Sequence, residues 1–455
     1  MDLFKFVLFA LVVATAAINV DVAVVGGGAS GAYAAVRLRE DFGKEIVVIE
    51  KQNRLGGHTQ TWYDPATREA FNYGVEAFTN LTTSADFFAR LNVPVKAAGV
   101  DQPETLFADF RDGKPVNYTP PIAEEVADAI VRYTDQWLKY GDLMLPTSSG
   151  FPDADDIPPD LLLTWDEFVR KYNLGAVSPR IWKTVVIDLN TALMIDVWKA
   201  YYPPLGAIQP ASGDNAEIWH KAAQVLGDAV MYESEVVSTR RSKDGVRLEV
   251  KGKAGDVTEI NAKRLLVTIG PETMDPNVFD LDDQELSVFA SSTGNRYYTG
   301  IVSHPSLPVA GITNVVPGLK APNYLTYPAV PFQADFRYKG NSSEGPIYRT
   351  LAVVPTETEL EDAKSLVRSS LENLMNAGTI PAGNITHLNF MTFDDHGIMY
   401  RRWSADKLRD GIVSQANALQ GLRSTWYTGA FWMNNNAAML WNTTNAILPR
   451  MLKGT

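Results

Sequence analysis

The chain has 455 residues, enough for two or three domains of roughly 150 residues each, and its 45% apolar and 21% charged residues are typical of globular proteins. The 41 Lys and Arg residues against 53 Asp and Glu give a formal charge of −12, which argues against a nucleic-acid partner because such proteins carry a basic face. The absence of cysteine excludes disulfides and thiolate ligands, and the five histidines show no helical ligand spacing, so no metal site is expected.

The N-terminus is expected to be a secretory signal peptide. A short start with one Lys precedes an unbroken apolar run from Phe6 to Ala14, and Ala14-Thr15-Ala16 offers a cleavage site of small residues. The run is too short to span a bilayer, which needs about 20 residues. We therefore expect residues 1–17 to be removed and the protein to be secreted without a stable membrane anchor. A buried N-terminal strand is the alternative.

Asn-x-Ser/Thr sequons occur five times along the chain, where about three are expected by chance. This mild excess is compatible with secretion and does not establish it. The predicted glycosylation sites are Asn80, Asn117, Asn341, Asn384 and Asn442.

The first strong motif is a strand, glycine-rich loop, helix and second strand. An apolar run over 20–25 predicts a strand, a G-x-G-x-x-G loop fills 26–31, and a helical pattern leads to a strand at 46–49 that ends in an acid. The glycines allow the tight turn, the approach of a pyrophosphate and the packing of helix on strand, and the acid is spaced to hold a ribose hydroxyl. We predict a dinucleotide site with contacts from Gly26, Gly28, Ser30, Gly31 and Glu50.

The next residues resemble the acid followed by R-x-G-G of the FAD-binding double-glycine superfamily, which includes flavin amine oxidases, protoporphyrinogen oxidases and carotenoid desaturases. The motif reads Glu50-Lys51-Gln52-Asn53-Arg54-Leu55-Gly56-Gly57-His58-Thr59, with His58 where most members have Arg. The resemblance implies that FAD is the cofactor. A covalent flavin link at His58 stays open, since imidazole is a competent ligand. The implied FAD contacts are Lys51, Arg54, Gly56, Gly57, His58 and Thr59.

Two further segments extend the resemblance. The segment 71–76 corresponds to the one that the family lays against the isoalloxazine ring, which assigns contacts to Tyr73, Gly74 and Val75. The β run over 230–237 resembles the strand whose backbone contacts adenine, a role carried over to Val236.

The C-terminal part resembles the closing strand, turn and helix of the family's FAD site. The strand is predicted over 424–429 and the helix over 437–452, whose N-terminus is expected to point at the N1–C2=O edge of the flavin. Gly429 and Ala430 form the turn, and Ala430 replaces the acid that the family usually has there. One ribityl contact is therefore missing from the pattern.

The resemblance implies an α/β fold of the amine oxidase type. In it, a discontinuous Rossmann-like FAD-binding domain is interrupted by an α+β substrate domain. The first insert has mainly helical patterns, at 122–140, 161–172 and 179–188. The second mixes strands at 297–302 and 347–354 with a helix over 357–376. We assign residues 18–80, 211–271 and 396–455 to the FAD-binding domain, and 81–210 and 272–395 to the substrate domain.

Two clusters are candidates for catalysis. Trp432 and Asn434 follow the closing turn and are expected at the reactive face or the pyrimidine edge of the flavin, as an aromatic wall and an amide donor. The alternative is the capped start of a helix, where Asn is common. The stretch Asp394-Asp395-His396-Gly397 offers an acid/base pair, although its composition favours a solvated turn.

These features predict a secreted FAD-dependent oxidoreductase. We expect it to dehydrogenate a C–N or C–C bond of a small, largely apolar substrate by hydride transfer to flavin N5. That step needs orientation and exclusion of water more than a catalytic triad. The pattern also resembles a secreted fungal branch near beta-cyclopiazonate dehydrogenase and polyenoic fatty acid isomerase.

Two alternatives stay open. One is a redox-neutral, FAD-dependent isomerase that moves a double bond in a fatty acyl chain, and the other is a secreted FAD-fold protein without turnover. Many flavin amine oxidases place a Lys near N5, and the corresponding strand, 297–302, has none. The oligomeric state is left open.

Overall fold

The computed structural model describes residues 17–99, 106–152, 154–203 and 205–453. Residues 1–16, which hold nearly all of the predicted signal peptide, lie outside them. In chain order the strands are β1 (Ile18–Val25), β2 (Ile46–Ile49), β3 (Thr61–Tyr63), β4 (Ala70–Asn72), β5 (Phe78–Thr79), β6 (Val95–Ala97), β7 (Leu106–Ala108), β8 (Ala207–Pro210), β9 (Val230–Met231), β10 (Glu235–Ser242), β11 (Gly245–Lys251), β12 (Val257–Val267), β13 (Thr293–Ser303), β14 (Ile312–Asn314), β15 (Phe332–Ser342), β16 (Gly345–Val354), β17 (Asn389–Arg402) and β18 (Thr425–Tyr427).

The α-helices of the described residues lie between these strands. They are α1 (Ala29–Glu40), α2 (Thr82–Arg90), α3 (Ala123–Leu138), α4 (Gly141–Met144), α5 (Trp165–Tyr172), α6 (Ser178–Val185), α7 (Met194–Ala200), α8 (Glu217–Leu226), α9 (Asp283–Ala290), α10 (Leu360–Asn376), α11 (Ala405–Arg409), α12 (Ile412–Ala418) and α13 (Ala437–Met451).

The first large sheet contains the predicted dinucleotide unit. Its strand order is β10-β11-β12-β1-β2-β9, with β18 beside the second half of β12. Strands β18, β12, β1, β2 and β9 run parallel, whereas β10 and β11 form an antiparallel meander with the first half of β12. Packed layers cover both faces of β1, so both faces need apolar side chains, and this explains its continuous apolar run.

Alternate residues of β1 pack into two different layers. Val24 joins Trp219 of α8 and Trp441 of α13 in the layer built from α1, α8 and α13. Ala23 and Val25 face the other way, into a cluster that also contains the meander and the helices of the first insert. This period of two is the expected side-chain alternation of a strand.

The second large sheet has the order β17-β13-β16-β15-β14-β7 and is antiparallel except for the β14–β7 pair. Helix α10 covers one face, where Val367 and Leu371 pack with Tyr298 and Tyr348. The opposite face carries Thr299, which bonds to a residue of the FAD-binding part. The sheet therefore forms a floor at the junction of the two domains.

Most local predictions agree with these elements. The helical patterns correspond to α3, α5, α6 and α10, and the predicted strands of the second insert lie within β13 and β16. The run 230–237 is not one strand, however. It forms β9 at one edge of the sheet and the start of β10 in the meander, and Glu233, with φ 49°, lies in the turn between them.

Two of the assigned domain boundaries differ from the packing. Helix α2 was expected in the substrate domain, yet Phe87 packs on Trp441 with ring centroids 5.0 Å apart, in the layer beside α1. At the other boundary, β17 crosses residue 396 and continues to pair with β13, as in the pair Met399–Asn295. The stretch 394–397 therefore belongs to a strand, and the expected solvated turn is wrong.

The predicted glycosylation sites differ in exposure. Asn80, Asn117, Asn341 and Asn384 are exposed, whereas Asn442 is half-buried in α13. Glycosylation itself stays a prediction. Among the described helices, none is both long enough and apolar enough to cross a bilayer.

Candidate active site

The glycine-rich loop joins β1 to α1 with the predicted geometry. Gly26 has φ +99°, and a Cβ on Gly31 would lie only 1.9 Å from the Gly26 carbonyl oxygen. Gly28 forms the N-cap of α1 without a capping side chain. The N–H groups of the first turn are therefore not satisfied by a side-chain cap, and a helix start of this kind binds anions readily.

Glu50 connects this loop to the end of β2. Its buried carboxylate accepts the Gly27 N–H at 2.6 Å and the Gln52 N–H at 2.7 Å. The Glu50 carbonyl accepts the N–H of Ser234 at 3.0 Å, so the turn that precedes Val236 also lies beside Glu50. Because a carboxylate has about four lone-pair sites, Glu50 can still accept a hydroxyl group.

The double-glycine loop packs directly against the first loop. Gly56 has φ +108°, and a Cβ there would lie 2.5 Å from Trp219 Cδ1. A Cβ on Gly57 would lie 3.1 Å from the Gly28 Cα. Close approach therefore requires Gly56, whereas Gly57 is favoured by its left-handed φ of +52° and a tight contact, and the two loops pack closely against each other.

Arg54 holds the shape of the double-glycine loop. Its guanidinium donates to the carbonyl oxygens of Leu55, Gly57 and Thr59 at 3.0 to 3.3 Å. These donors are thus used within the loop. Lys51 is exposed, and its charge is among those that lower the pKa of His58.

Two buried hydroxyl groups in these loops are unpaired. Ser30 Oγ and Thr59 Oγ1 belong to residues that are 3% and 1% exposed, and neither has a hydrogen-bond partner within the described ranges. Buried polar atoms are normally bonded, so each such atom indicates a missing partner. A polyanionic, hydroxyl-rich dinucleotide supplies partners of the right kind.

His58 stacks on His396, with ring centroids 4.5 Å apart and planes 7° apart. The Gln60 side-chain oxygen accepts from His396 Nε2 at 2.5 Å. His58 remains open to solvent, but the surrounding protein desolvates it and lowers its pKa to about 4. Burial likewise lowers the pKa of His396 well below its usual value. Both rings are therefore neutral at pH 7.

The segment 71–76 pairs with the residues after the double glycine. The N–H groups of Tyr73 and Val75 donate to the carbonyls of Gln60 and His58, each at 3.1 Å. A Cβ on Gly74 would lie 2.0 Å from the His58 carbonyl oxygen, which explains the glycine.

The same segment is bonded to the second sheet on its other side. The Thr299 hydroxyl donates to the Tyr73 carbonyl at 3.1 Å, and the Tyr73 hydroxyl donates to Asp394 Oδ2 at 2.7 Å. Thr392 Oγ1 lies 3.2 Å from the Tyr73 hydroxyl oxygen. The predicted isoalloxazine segment thus joins the two domains.

The closing segment returns to the first glycine loop. The Thr428 N–H donates to Val267, and Gly429, with φ +109°, would place a Cβ 2.8 Å from the Thr268 carbonyl oxygen. Thr268 Oγ1 in turn donates to the Gly26 carbonyl at 3.1 Å. Gly429 and the following Ala430 therefore lie beside the dinucleotide loop.

Trp432 and Asn434 make contacts that favour structural roles. Trp432 packs among Phe289, Tyr427 and Phe431, with ring centroids 5.2 to 6.4 Å apart. The buried Asn434 amide donates to the Lys199 carbonyl, and its oxygen accepts the Asn436 N–H at 2.7 Å. Their catalytic roles stay predictions.

Asn436 caps the closing helix. Its side-chain oxygen accepts the N–H groups of Ala438 and Met439 at 3.1 and 3.4 Å. Two first-turn donors of α13 are therefore used by the chain itself.

Two residues of the site, Gln60 and Thr268, were not predicted from the sequence, whereas His396 was a candidate within the stretch 394–397. Gln60 and His396 bond across the domain junction, and Thr268 supports the first glycine loop. Gln60 lies two residues after His58, so in a strand the two side chains would share one face, and this is only a weak local indication that Gln60 belongs to the site. Nothing local indicates that residues 396 and 60 meet.

This chain resembles several known proteins in sequence. A family described as an NAD(P)-binding Rossmann-like domain matches residues 24–91. The FAD-dependent oxidoreductase dbaF of Emericella nidulans is 32% identical over 456 residues, which cover 95% of this chain and 91% of that protein. The chain belongs to this family of FAD-dependent oxidoreductases. Beta-cyclopiazonate dehydrogenase of Aspergillus oryzae is 29% identical to this chain, and the match covers 95% of this chain and 93% of the dehydrogenase.

Solved structures agree with the fold of this FAD-dependent oxidoreductase. A CLA-producing fatty acid isomerase from P. acnes superposes with a TM-score of 0.70 at 15% identity, over 95% of this chain and 99% of that one. A putrescine oxidase superposes with a TM-score of 0.61 at 14% identity, over 95% of this chain and 100% of that one. The amine oxidase-like fold with a Rossmann-like FAD-binding domain is confirmed, and FAD is the cofactor.

Proposed function

We propose that this oxidoreductase dehydrogenates a C–N or C–C bond of a small, largely apolar substrate. The observation that carries the proposal is the segment 71–76, which bonds to the double-glycine loop through Tyr73 and Val75 and to the second sheet through Thr299 and Asp394. A ring held along this segment lies at the junction of the two domains, where substrate pockets usually form.

We assign the FAD contacts from the unpaired groups of the cleft. The first turn of α1 after Gly28 is suited to the pyrophosphate, and Glu50 to a ribose hydroxyl. The orphaned hydroxyls of Ser30 and Thr59 are suited to phosphate or ribityl oxygens. When bound, FAD supplies the hydride acceptor at N5.

The chain's own residues orient the substrate and exclude water. Tyr297 and Tyr400 are packed edge to face with centroids 5.6 Å apart, and Tyr297 donates its hydroxyl proton to the Val186 carbonyl at 2.9 Å. Burial raises the pKa of both phenols, so they stay protonated at pH 7. They therefore serve as rigid walls rather than as bases.

A redox-neutral isomerase is the second candidate. It is favoured by the TM-score of 0.70 with a fatty acid isomerase, against 0.61 for the putrescine oxidase. An isomerase of this kind returns the hydride to another carbon of the same substrate, so the substrate gains and loses no electrons.

An anaerobic screen separates these candidates. The oxidised holoenzyme is mixed with amines, indoles or unsaturated fatty acids, and both the flavin absorbance and the products are followed. Lasting bleaching with an oxidised product supports the dehydrogenase, whereas a shifted double bond with oxidised flavin at the end supports the isomerase. A flavin that neither a substrate nor dithionite reduces supports a protein without turnover.

We also propose that the mature protein is secreted. Strand β1 begins at Ile18, directly after the predicted cleavage site, so cleavage leaves the described fold intact. Four of the five sequons are exposed and accessible to glycosylation. The test is expression in a eukaryotic host with N-terminal sequencing and glycosidase treatment of the medium. Retention of the protein in the cells, or an intact Met1 in the medium, contradicts the proposal.

A further inference from the structure

Arg349 lies in the middle of β16 and is 4% exposed. The nearest carboxylate oxygens are Asp335 Oδ1, 3.1 Å from Nη1, and Glu76 Oε2, 3.7 Å from Nη2. Neither contact has the geometry of a hydrogen bond, and Nε and Nη1 have no hydrogen-bond partner among the residues that the structure describes. Because a guanidinium has five N–H donors and buried donors are normally bonded, a partner of Arg349 is missing.

Both neighbouring carboxylates are already ion-paired with other cations, although Asp335 Oδ1 accepts no hydrogen bond from the described residues. Both oxygens of Glu76 accept from cations, Arg337 Nη1 at 2.8 Å and Lys339 Nζ at 2.7 Å. Asp335 lies 3.1 Å from Arg337 Nη2 as well as from Arg349. Three cations thus share two anions, and the cluster has a net charge of +1 before a ligand binds.

The cluster faces the junction of the domains. The register pairs Arg349 with Ile301 on one side and with Arg337 on the other, so the three side chains share one face of the sheet. Thr299 is on the same face of β13, two residues from Ile301, and it bonds to the Tyr73 carbonyl. The cluster therefore adjoins the segment that we assign to the isoalloxazine ring.

A further cation approaches from the first insert. Lys183 lies on α6 and is open to solvent, but desolvation by the surrounding protein and the charges of Arg337 and Arg349 lower its pKa. Positive charge thus reaches this place from both the sheet and the helical insert. Such a surface repels a simple diamine and attracts an acid.

We propose that Arg349 binds a carboxylate group of the substrate, so that the substrate is an apolar molecule carrying one acid group. The inference rests on the proposed function, because it places that substrate beside the flavin. A carboxylate accepts two N–H groups of a guanidinium in parallel, which supplies the partners that Arg349 lacks. It also neutralises the excess charge of the cluster.

Ligand titration of the oxidised holoenzyme tests this assignment. Octanoate and octanamide, and likewise phenylacetate and phenylacetamide, are titrated while the visible absorption of the flavin is followed. Each pair has the same apolar part and differs in the acid group. We expect each acid to bind at least tenfold more tightly than its amide. In Arg349→Gln this preference is lost, while affinity for the amides changes little.

Two variants keep the test specific. Arg296→Gln removes the same side-chain type from β13, but Arg296 precedes Tyr297 and lies on the opposite face of the strand, so the preference for acids is expected to persist. Arg349→Lys keeps the charge without the bidentate fork, and we expect an intermediate preference. If Arg349→Gln does not fold, Arg349→Lys and the acid–amide comparison in the wild type decide.

The outcomes distinguish this inference from the proposed function. Flavin content and reduction by dithionite and by substrates test the function. Equal binding of acids and amides to a reducible holoenzyme, no binding of either, or an unchanged preference in a folded Arg349→Gln, overturns the carboxylate site. In that case water satisfies Arg349.

Discussion

Gly31 shows why the dinucleotide loop could be read from the sequence. A Cβ at this position would meet the Gly26 carbonyl oxygen at 1.9 Å and Thr268 Oγ1 at 2.9 Å. The first clash arises within six consecutive residues, so the constraint is written locally as a glycine. Arg349 is the opposite case. Its neighbour Glu76 is far away in the chain, and its neighbour Asp335 belongs to the adjacent strand β15. No local pattern marks Arg349.

Gly31→Ala is therefore expected to abolish retention of FAD. The backbone must shift to accept the methyl group, and overpacking of this kind costs about 1–3 kcal/mol of stability. The measurements are flavin content after gel filtration and the urea midpoint. Gly141→Ala is the control, since nothing lies within 4 Å of a Cβ there. A Gly31→Ala variant that keeps its flavin contradicts the assignment of this loop.

His58 predicts a loss of stability on acidification. Its pKa is about 4 in the folded protein and about 6.5 in the unfolded chain, so below pH 6.5 protons bind preferentially to the unfolded state. The folded state is therefore destabilised progressively from pH 6.5 down to about 4, and unaffected by this group above pH 7. His58→Gln should flatten the decline of Tm over that interval, whereas His220→Gln, on the exposed face of α8, serves as the control. An identical decline in His58→Gln and wild type contradicts the shift.

At the level of elements, local periodicity identified helices and strands but not all of their partners. The patterns behind α1, α10 and α13 are long and regular, and these helices lie where they were predicted. The run 230–237 reads as one strand because its apolar residues are continuous, yet a left-handed residue at Glu233 splits it. The polar stretch 394–397 reads as a turn because its polar side chains are explained only by partners in the other domain, here Gln60 and Tyr73 across the junction.

Helix α2 provides a test of the domain boundary. Phe87 is fully buried between Tyr33 and Trp441, with ring centroids 4.9 and 5.0 Å away. Phe87→Ala should cost about 3–5 kcal/mol and weaken FAD retention, because the cavity opens behind α1. The exposed Val131→Ala on α3 should change neither. If Phe87→Ala loses stability but keeps its affinity for FAD, the assignment of α2 to the FAD-binding domain is contradicted. The readouts are chemical unfolding and flavin release.

At the scale of the whole molecule, function depends on how the two domains meet. The sequence indicates each domain by its own motifs, but the junction is built from pairs far apart in the chain, such as Thr299 with Tyr73 and His396 with Gln60. FAD as the cofactor could therefore be predicted from the sequence, whereas the chemistry of the substrate side could not. The sequence suggests only that the substrate is largely apolar. The cationic cluster around Arg349 adds the proposal that this substrate carries an acid group.

The junction also predicts a slow reaction of the reduced flavin with oxygen. Strand β13 has no Lys, and its residue facing the segment 71–76 is Thr299, whose hydroxyl is already bonded to backbone carbonyls. The nearby guanidinium of Arg349 lies beside Glu76 and Asp335, and a substrate carboxylate would neutralise it further. Before a ligand binds, the one excess positive charge of the cluster is spread over these ion pairs, so it stabilises the superoxide-like charge that develops next to the flavin less than an unpaired Lys would. After an acid binds, no excess charge is left.

The test is to reduce the holoenzyme anaerobically, mix it with air-saturated buffer and follow recovery of the oxidised flavin. We expect recovery well below the turnover of a typical oxidase, which is on the order of 10 per second. Adding octanoate should slow it further if the acid occupies Arg349, and should not do so in Arg349→Gln. Recovery on the order of 10 per second or faster would show that another group at the junction supplies the positive charge. The enzyme would then work as an oxidase.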